Sequence, residues 1–290
     1  NIFWYRDEQG PTAALISLKA ALGTVASLGI EQGIMRVMEL KAAETLGATR
    51  FQDVSKAIDS LRMYKSEQEI AFFRKAVAIV EDSLQATLPL IKAGVVELEI
   101  AAHLEFEMRK RGSEGTPFGT IVASGYRGAL PHGRASTKRI QRSELVVLDF
   151  GSIYAGYVAD ITRTVAVGEI SPELKTIYEI VKKAQLAAIE KVRPGVTAHE
   201  IDEAARSIIR NSGFDSFFTH RTGHGIGLST HEEPYMMQNN HLTLQPGMSF
   251  TIEPGIYLPE KGGVRIEDNI VVTDDGSINL MSFTKDLITL

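Results

Sequence analysis

The chain has no cysteine, which excludes disulfides, thiolate nucleophiles and zinc–thiolate sites and fits a reducing compartment. Positive charge is also in short supply. Lys and Arg number 31 against 36 Asp and Glu, a net charge of −5, so there is no basic patch of the kind nucleic acid requires. No apolar run approaches the roughly 20 residues of a membrane span. The N-terminus lacks the basic-then-apolar pattern of a signal peptide. A cytoplasmic enzyme or binding protein without nucleic-acid or membrane partners is therefore expected. Asn1 stands where Met would begin a chain, which suggests N-terminal trimming.

What is present suits a globular protein: 290 residues, 44% of them apolar, bury a core comfortably. Residues 1–60 read as short helices and a strand, too few for a robust domain alone, and so as the remnant of a larger α/β one; residues 61–290 read as the main domain. Ser66 with Glu69 forms a capping-box pattern that opens a long helix to about Lys92, stopped by Gly94. Thr197 with Glu200 repeats that pattern, and Ser171-Pro172 opens the helix before it. The segment 93–112 aligns with 194–213 at an offset of 101, matching Gly94 with Gly195, Glu99 with Glu200 and Gly112 with Gly213. After each helix pair the apolar period falls from 3.6 to 2, in 144–167 and again in 248–273. Helix, helix, hairpin, twice over, predicts an α+β fold built by duplication.

The chemistry gathers in those hairpins. A first turn centred between 154 and 155 sets Asp149 opposite Asp160, where like charges repel. A second turn centred on Glu260 sets Glu253 opposite Glu267. Taken singly, Asp149 could cap the Phe150-Gly151 turn, and the "IEDN" acids could be a solvated edge. Two such pairs in two similar units argue for function, and Asp149, following the apolar run "LVVL", looks buried and in need of a cation. Four carboxylates match two divalent ions, and an oxygen-rich, thiolate-free set suits Mn²⁺, Co²⁺ or Zn²⁺ at a hydrolytic centre.

Three of the seven histidines fall in "HRTGHGIGLSTHEEP", residues 220–234, among glycines at 223, 225 and 227 that argue against a helix. As a strand, His220, Thr222 and His224 share a face, and the glycines let another backbone, a metal or a peptide come close. His231 follows and could turn back to the same pocket, and His132 lies in a Pro/Gly loop ahead of the first hairpin. His103, His199 and His241 read as structural or exposed.

The stretches "LDFGSIYAGYVADITRT", "HRTGHGIGLSTHEEP", "TIEPGIY" and "VRIEDN", in that order, resemble the Xaa-Pro peptidases, prolidase and aminopeptidase P, of the pita-bread metallopeptidase family. That family also holds methionine aminopeptidases and creatinase. The resemblance runs from about Ser66 to the C-terminus. It implies a pseudo-twofold α+β fold around a dinuclear metal site with Asp149, Asp160, His224, Glu253 and Glu267 as ligands. Asp160 and Glu267 would be shared between the metals, and a hydroxide held there would be the nucleophile. Glu253 would double as general base, His231 would steady the substrate carbonyl, and His132 and Arg265 would contact substrate; Tyr257 and Arg163 would support them. A complete ligand set speaks against creatinase, and "DITRT" with the short gap between the two Glu ligands favours the prolyl branch over methionine aminopeptidase. The junction "SLRMYKSEQEI" resembles the family's domain boundary, and the prolyl branch implies a homodimer when full length. Competing readings are an M24 aminopeptidase of methionyl specificity, a non-catalytic binding module on the same fold, and a phosphoester hydrolase, for which no phosphate-cradling basic loop exists.

Overall fold

Ser66 Oγ accepts a hydrogen bond from the Glu69 amide at 3.4 Å while Glu69 accepts one from the Ser66 amide at 2.7 Å, so the capping box opens α4 (Glu67–Thr87) as its spacing predicts. In this computed structural model, which describes all 290 residues, the chain divides into two units, Asn1–Leu61 and Arg62–Leu290. The first contains α1 (Pro11–Leu22), β1 (Ser27–Ile30), α2 (Val37–Ala43) and β2 (Arg50–Asp53) before α3 (Ser55–Met63) begins. β2, which the sequence pattern missed, pairs with β1 in parallel. α1 buries none of its residues.

The second unit is built from two matched halves. α4 buries Phe73, Ala76, Val77, Val80 and Leu84, the i, i+3, i+4 stripe of a core-facing helix. It stops earlier than expected: a 3₁₀ turn follows at Leu88–Leu90, because Pro89 has no N–H for the next helical bond. α5 (Glu97–Lys110) lies ahead of β3 (Ile121–Ser124), β4 (Glu144–Tyr154) and β5 (Tyr157–Val167), a three-stranded sheet with β4 central. α6 (Pro172–Lys191) and α7 (Ala198–Asn211) repeat the helix pair, and α7 begins and ends 101 positions after α5, the offset of the sequence alignment. They precede a five-stranded sheet that contains β6 (Gly223–Gly225), β7 (Glu232–Met236), β8 (Ser249–Ile252) and β11 (Asp268–Val272). Each half has its own core. One joins Phe73, Leu104 and Leu148; the other joins Ile177, Ile201 and Phe250. No helix is long and apolar enough to cross a membrane.

The two hairpins treat their acids differently from the sequence expectation. The first turn is Ala155-Gly156, both residues at positive φ (49° and 80°), the two-residue loop whose twist matches the strands. Tyr154 therefore faces Tyr157, Asp149 faces Thr162, and Asp160 faces Gly151, so the expected direct Asp149–Asp160 opposition is corrected: the turn centre moves by one residue and each partner by two. Glycine accepts the left-handed conformation that the turn needs, and this moves the centre off Tyr154-Ala155. The two carboxylates become diagonal neighbours on one face, which eases their repulsion without separating them.

The second turn is centred on Glu260 as expected: Gly262 faces Leu258, and further out Asp268 faces Ile252. The ladder is broken between, splitting the hairpin into β9 (Gly255–Leu258) with β10 (Gly262–Arg265), and β8 with β11. Glu253 and Glu267 sit in that break. The Glu267 amide donates to Thr162 O of β5 at 3.1 Å, and the Glu253 amide donates to Thr222 O at 2.8 Å. Each acid is thus tied through its backbone to a different neighbouring segment.

Candidate metal centre and active site

Ligand-type atoms of Asp160, His224 and Glu267 lie within 4.8 Å of one another, all three residues being buried. Asp149 and Glu253 line the same cavity, of about 520 Å³. Asp149 Oδ1, Asp160 Oδ1 and Glu267 Oε1 are buried without any hydrogen-bond partner. Buried anionic oxygens left unpaired are costly, and such a set calls for cations. Burial, then the neighbouring carboxylates, holds Asp160 and Glu267 well above the usual acid range, and burial pushes Glu253 up to about 7. A divalent cation reverses that preference and keeps the acids ionised.

The one nitrogen in the set is prepared as a ligand. His224 Nδ1 lies 3.0 Å from Gly225 O, and a carbonyl only accepts, so Nδ1 carries the proton and Nε2 presents its lone pair to the acids. Nε2 is 3.2 Å from Glu253 Oε1. Burial, helped by the neighbouring His231, lowers the His224 pKa to about 3, leaving the neutral imidazole that binds metal. These donors fit divalent ions of the oxygen-and-imidazole-preferring kind.

The glycines beside His224 make room for strands. A Cβ on Gly223 would collide with the Thr251 carbonyl of β8, and one on Gly225 with the Glu232 and Glu233 carbonyls of β7. One on Gly227 would meet Glu232 Oε1 and Lys65 Cε at 2.7 Å, where Lys65 Nζ and Glu232 Oε1 form a buried ion pair at 2.5 Å. At Gly223 and Gly225 the close approach is to backbone, one of the partners the sequence suggested, and at Gly227 it is to the Lys65 and Glu232 side chains. Gly223→Ala is therefore expected to cost about 3 kcal/mol, the upper end of overpacking, and to weaken metal retention, since β6 must leave β8. Thermal melting with and without added metal measures both, and an unchanged midpoint would contradict the packing.

The other expected residues surround this centre. His231 sets its ring edge against His224, centroids 4.3 Å apart and planes at 86°, and both His231 and His132 are exposed where they line the cavity. His220 Nδ1 donates to Arg221 O at 2.7 Å, so its Nε2 accepts from the Tyr257 hydroxyl, also at 2.7 Å. Tyr257 in turn accepts from Arg265 at 2.8 Å, and Arg265 bonds Asp149. Arg163 donates to the Thr162 and Glu267 carbonyls and pairs with Asp268 at 2.8 Å.

Several participants escaped the sequence reading. Thr162 Oγ1 donates to Glu267 Oε2 at 2.6 Å and accepts from Arg265 Nε at 3.1 Å. Its position two after Asp160 on a strand was the available signal. Asn269 clamps the Asp160 backbone from both sides, at 3.1 and 2.7 Å. Thr251 Oγ1 accepts from the His224 amide at 3.1 Å. Arg221 and Phe118 enter the cavity wall from irregular segments, and no periodicity marks them.

Paired α+β halves that converge buried acids and one imidazole on an open cavity define a metal-dependent enzyme. The chain belongs to metallopeptidase family M24, whose model matches residues 71–274. It is 46% identical to the Xaa-Pro dipeptidase of Pyrococcus horikoshii over 92% of this chain and 76% of that one. Among solved structures, it is similar to the prolidase from Pyrococcus furiosus, with TM-score 0.89 and 41% identity over 93% of this chain and 80% of that one. The Xaa-Pro dipeptidase from Bacillus anthracis gives TM-score 0.91 and 42% identity over 96% and 79%.

Proposed function

We propose that this M24 metallopeptidase hydrolyses the bond between any residue and a following proline. The observation that carries the reading is the convergence of Asp149, Asp160, His224, Glu253 and Glu267 on one cavity with three carboxylate oxygens unpartnered. The Xaa-Pro specificity is supported by the named relatives. Those five side chains would hold two divalent ions, Mn²⁺ first, with Co²⁺ or Zn²⁺ as alternatives. When bound, the ions would supply Lewis acidity, polarising the scissile carbonyl and acidifying a water.

The remaining work belongs to the chain. Glu253, held through its amide by Thr222 O, takes the proton of the attacking water. His231, at the exposed side of the centre, donates to the carbonyl oxygen as negative charge grows there. His132 contacts the substrate from the cavity mouth. Arg265 and Tyr257 fix Asp149 and His220, keeping the acid array oriented. A proline-preceding bond has no N–H and resists ordinary proteases, so strong carbonyl polarisation suits it. The family resemblance also supports a homodimer when the chain is full length.

Turnover of Ala-Pro, Ala-Pro-Ala and Met-Ala-Ser by the metal-loaded chain tests the reading. Cleavage of the prolyl substrates with Met-Ala-Ser left intact is expected. The reverse pattern would replace it with methionyl specificity, and no cleavage of any peptide would favour a binding module.

A further inference from the structure

A buried carboxylate with no place in the metal centre closes the loop that carries His132. Glu97, in the first turn of α5, is fully buried and does not line the cavity. Its Oε1 accepts from the amide and the hydroxyl of Ser124, both at 2.8 Å, where β3 ends and the loop begins. Its Oε2 accepts from the amide and the hydroxyl of Ser136, at 3.0 and 2.6 Å, where the loop returns. Arg127, within the loop, also donates to Oε2 and reaches on to the Arg134 carbonyl at 2.8 Å. Segment 124–136 is thus gathered on one anion at its entry, near its middle and at its exit. Its far side is held from the active site, where Arg265 donates to the Pro131 carbonyl at 3.2 Å as well as to Asp149. Pro131, His132 and Arg134 all reach the cavity from this loop, and His132 is exposed there.

We propose that Glu97 is a positioning residue for hydrolysis, which sets His132 against the substrate by tying both stems of its loop to α5; this rests on the peptidase reading above and on the His132 contact within it. An untethered loop samples many backbone states, and ordering each residue costs conformational entropy. Charge-assisted bonds to a carboxylate are about twice as strong as neutral ones, which suits an anchor that must offset this cost. Burying an ion pair is itself expensive, and a well-packed apolar side chain could fill the space as stably. What the Glu97–Arg127 pair adds is one fixed loop geometry. Glutamine cannot reproduce it. Every group around the carboxylate donates, so an amide nitrogen in place of either oxygen sets N–H against the Ser124 or the Ser136 amide.

The test is a double-mutant cycle on the metal-loaded full chain, with kcat and KM on Ala-Pro for wild type, Glu97→Gln, His132→Ala and the double variant. Glu97→Gln alone is expected to lower kcat/KM by about 10- to 100-fold, since a small misplacement of a substrate contact costs up to about 100-fold. In the His132→Ala background the same substitution should cost no more than a few-fold, because the contact it positions is already gone. A merely structural role gives a different result. Loss of folded protein multiplies through both backgrounds alike. Ser136→Ala removes one of the hydroxyl tethers and leaves the carboxylate in place, so it serves if Glu97→Gln does not fold. It should show a smaller loss with the same dependence on His132. Multiplicative losses, a harmless Glu97→Gln, or a His132→Ala that costs nothing each overturn the proposal. If wild type cleaves Met-Ala-Ser alone, the Xaa-Pro specificity fails, and the same cycle on that peptide decides on Glu97 by the same criteria. If wild type cleaves no peptide, the peptidase reading fails and takes this assignment with it.

Discussion

Asp160→Asn is expected to abolish peptide hydrolysis and lower metal affinity by more than about 100-fold, beyond the range seen when partners that merely orient ligands are removed. Asp160 is 5% exposed, Oδ1 has no partner, and its backbone is clamped by Asn269, so the isosteric amide fits without moving the strand. The sign of the stability change separates this from ordinary damage. Without metal, the wild-type site crowds Asp149, Asp160, Glu253 and Glu267 together, and their mutual repulsion is part of what raises Asp160 and Glu267. Removing one charge should leave the metal-free variant as stable as the metal-free wild type, or more so. Added metal should then raise the melting temperature of wild type far more than that of the variant. Metal analysis, melting with and without Mn²⁺, and kcat/KM on Ala-Pro give the three readouts. Full turnover in the variant would remove Asp160 from the centre.

The second large effect is structural. Asp268 is fully buried and is held by Arg163 at 2.8 Å, Lys285 at 2.7 Å, Gln185 at 3.0 Å and Asn279 at 2.7 Å. Asp268→Ala strands the buried Arg163 charge, which costs about 3–5 kcal/mol. For a unit of this size that corresponds to a fall of roughly 6–20 °C in melting temperature. Burial alone would raise the Asp268 carboxyl, but Arg163 and Lys285 outweigh it and hold it below its ordinary 3.8. A depressed carboxylate stabilises the fold above its unfolded pKa, and that contribution is lost as pH falls through the folded value. Wild type should therefore lose stability below about pH 4, and Asp268→Asn should show a shallower acid slope. Arg163 also donates to the Glu267 carbonyl, so the Ala variant should lose activity before it unfolds. A melting series from pH 3 to 7 decides the point; a variant as stable as wild type across it would show that the pair contributes nothing.

Local chemistry was legible in the chain wherever one segment decides it. The capping boxes at Ser66 and Thr197, the centre of the Glu260 turn and the α5–α7 repeat all follow from spacing and residue type within short stretches. The Asp149–Asp160 register was misread because a shift of one residue in a two-residue turn is set by which residues accept positive φ, and Ala155 gives no sign of it. Thr251 and Asn269 were invisible as participants, since an ordinary threonine or asparagine on a strand becomes a clamp only when another segment arrives opposite it.

By itself the sequence determined the types of donor: four acids and a histidine, with no thiol, sufficient to point to an oxygen-rich metal centre and the family it resembles. The tertiary structure decided everything that depends on segments far apart in the chain. It broke the second hairpin at Glu253 and Glu267 and tied one to Thr222 and the other to Thr162. It spent the donors of Arg265 on its neighbours while leaving Arg221 stacked on Tyr235 with an unpaired Nε. The physical reason is that a side chain's charge and hydrogen-bonding capacity are written in its residue type. Whether that capacity is already satisfied depends on partners that only folding brings within reach.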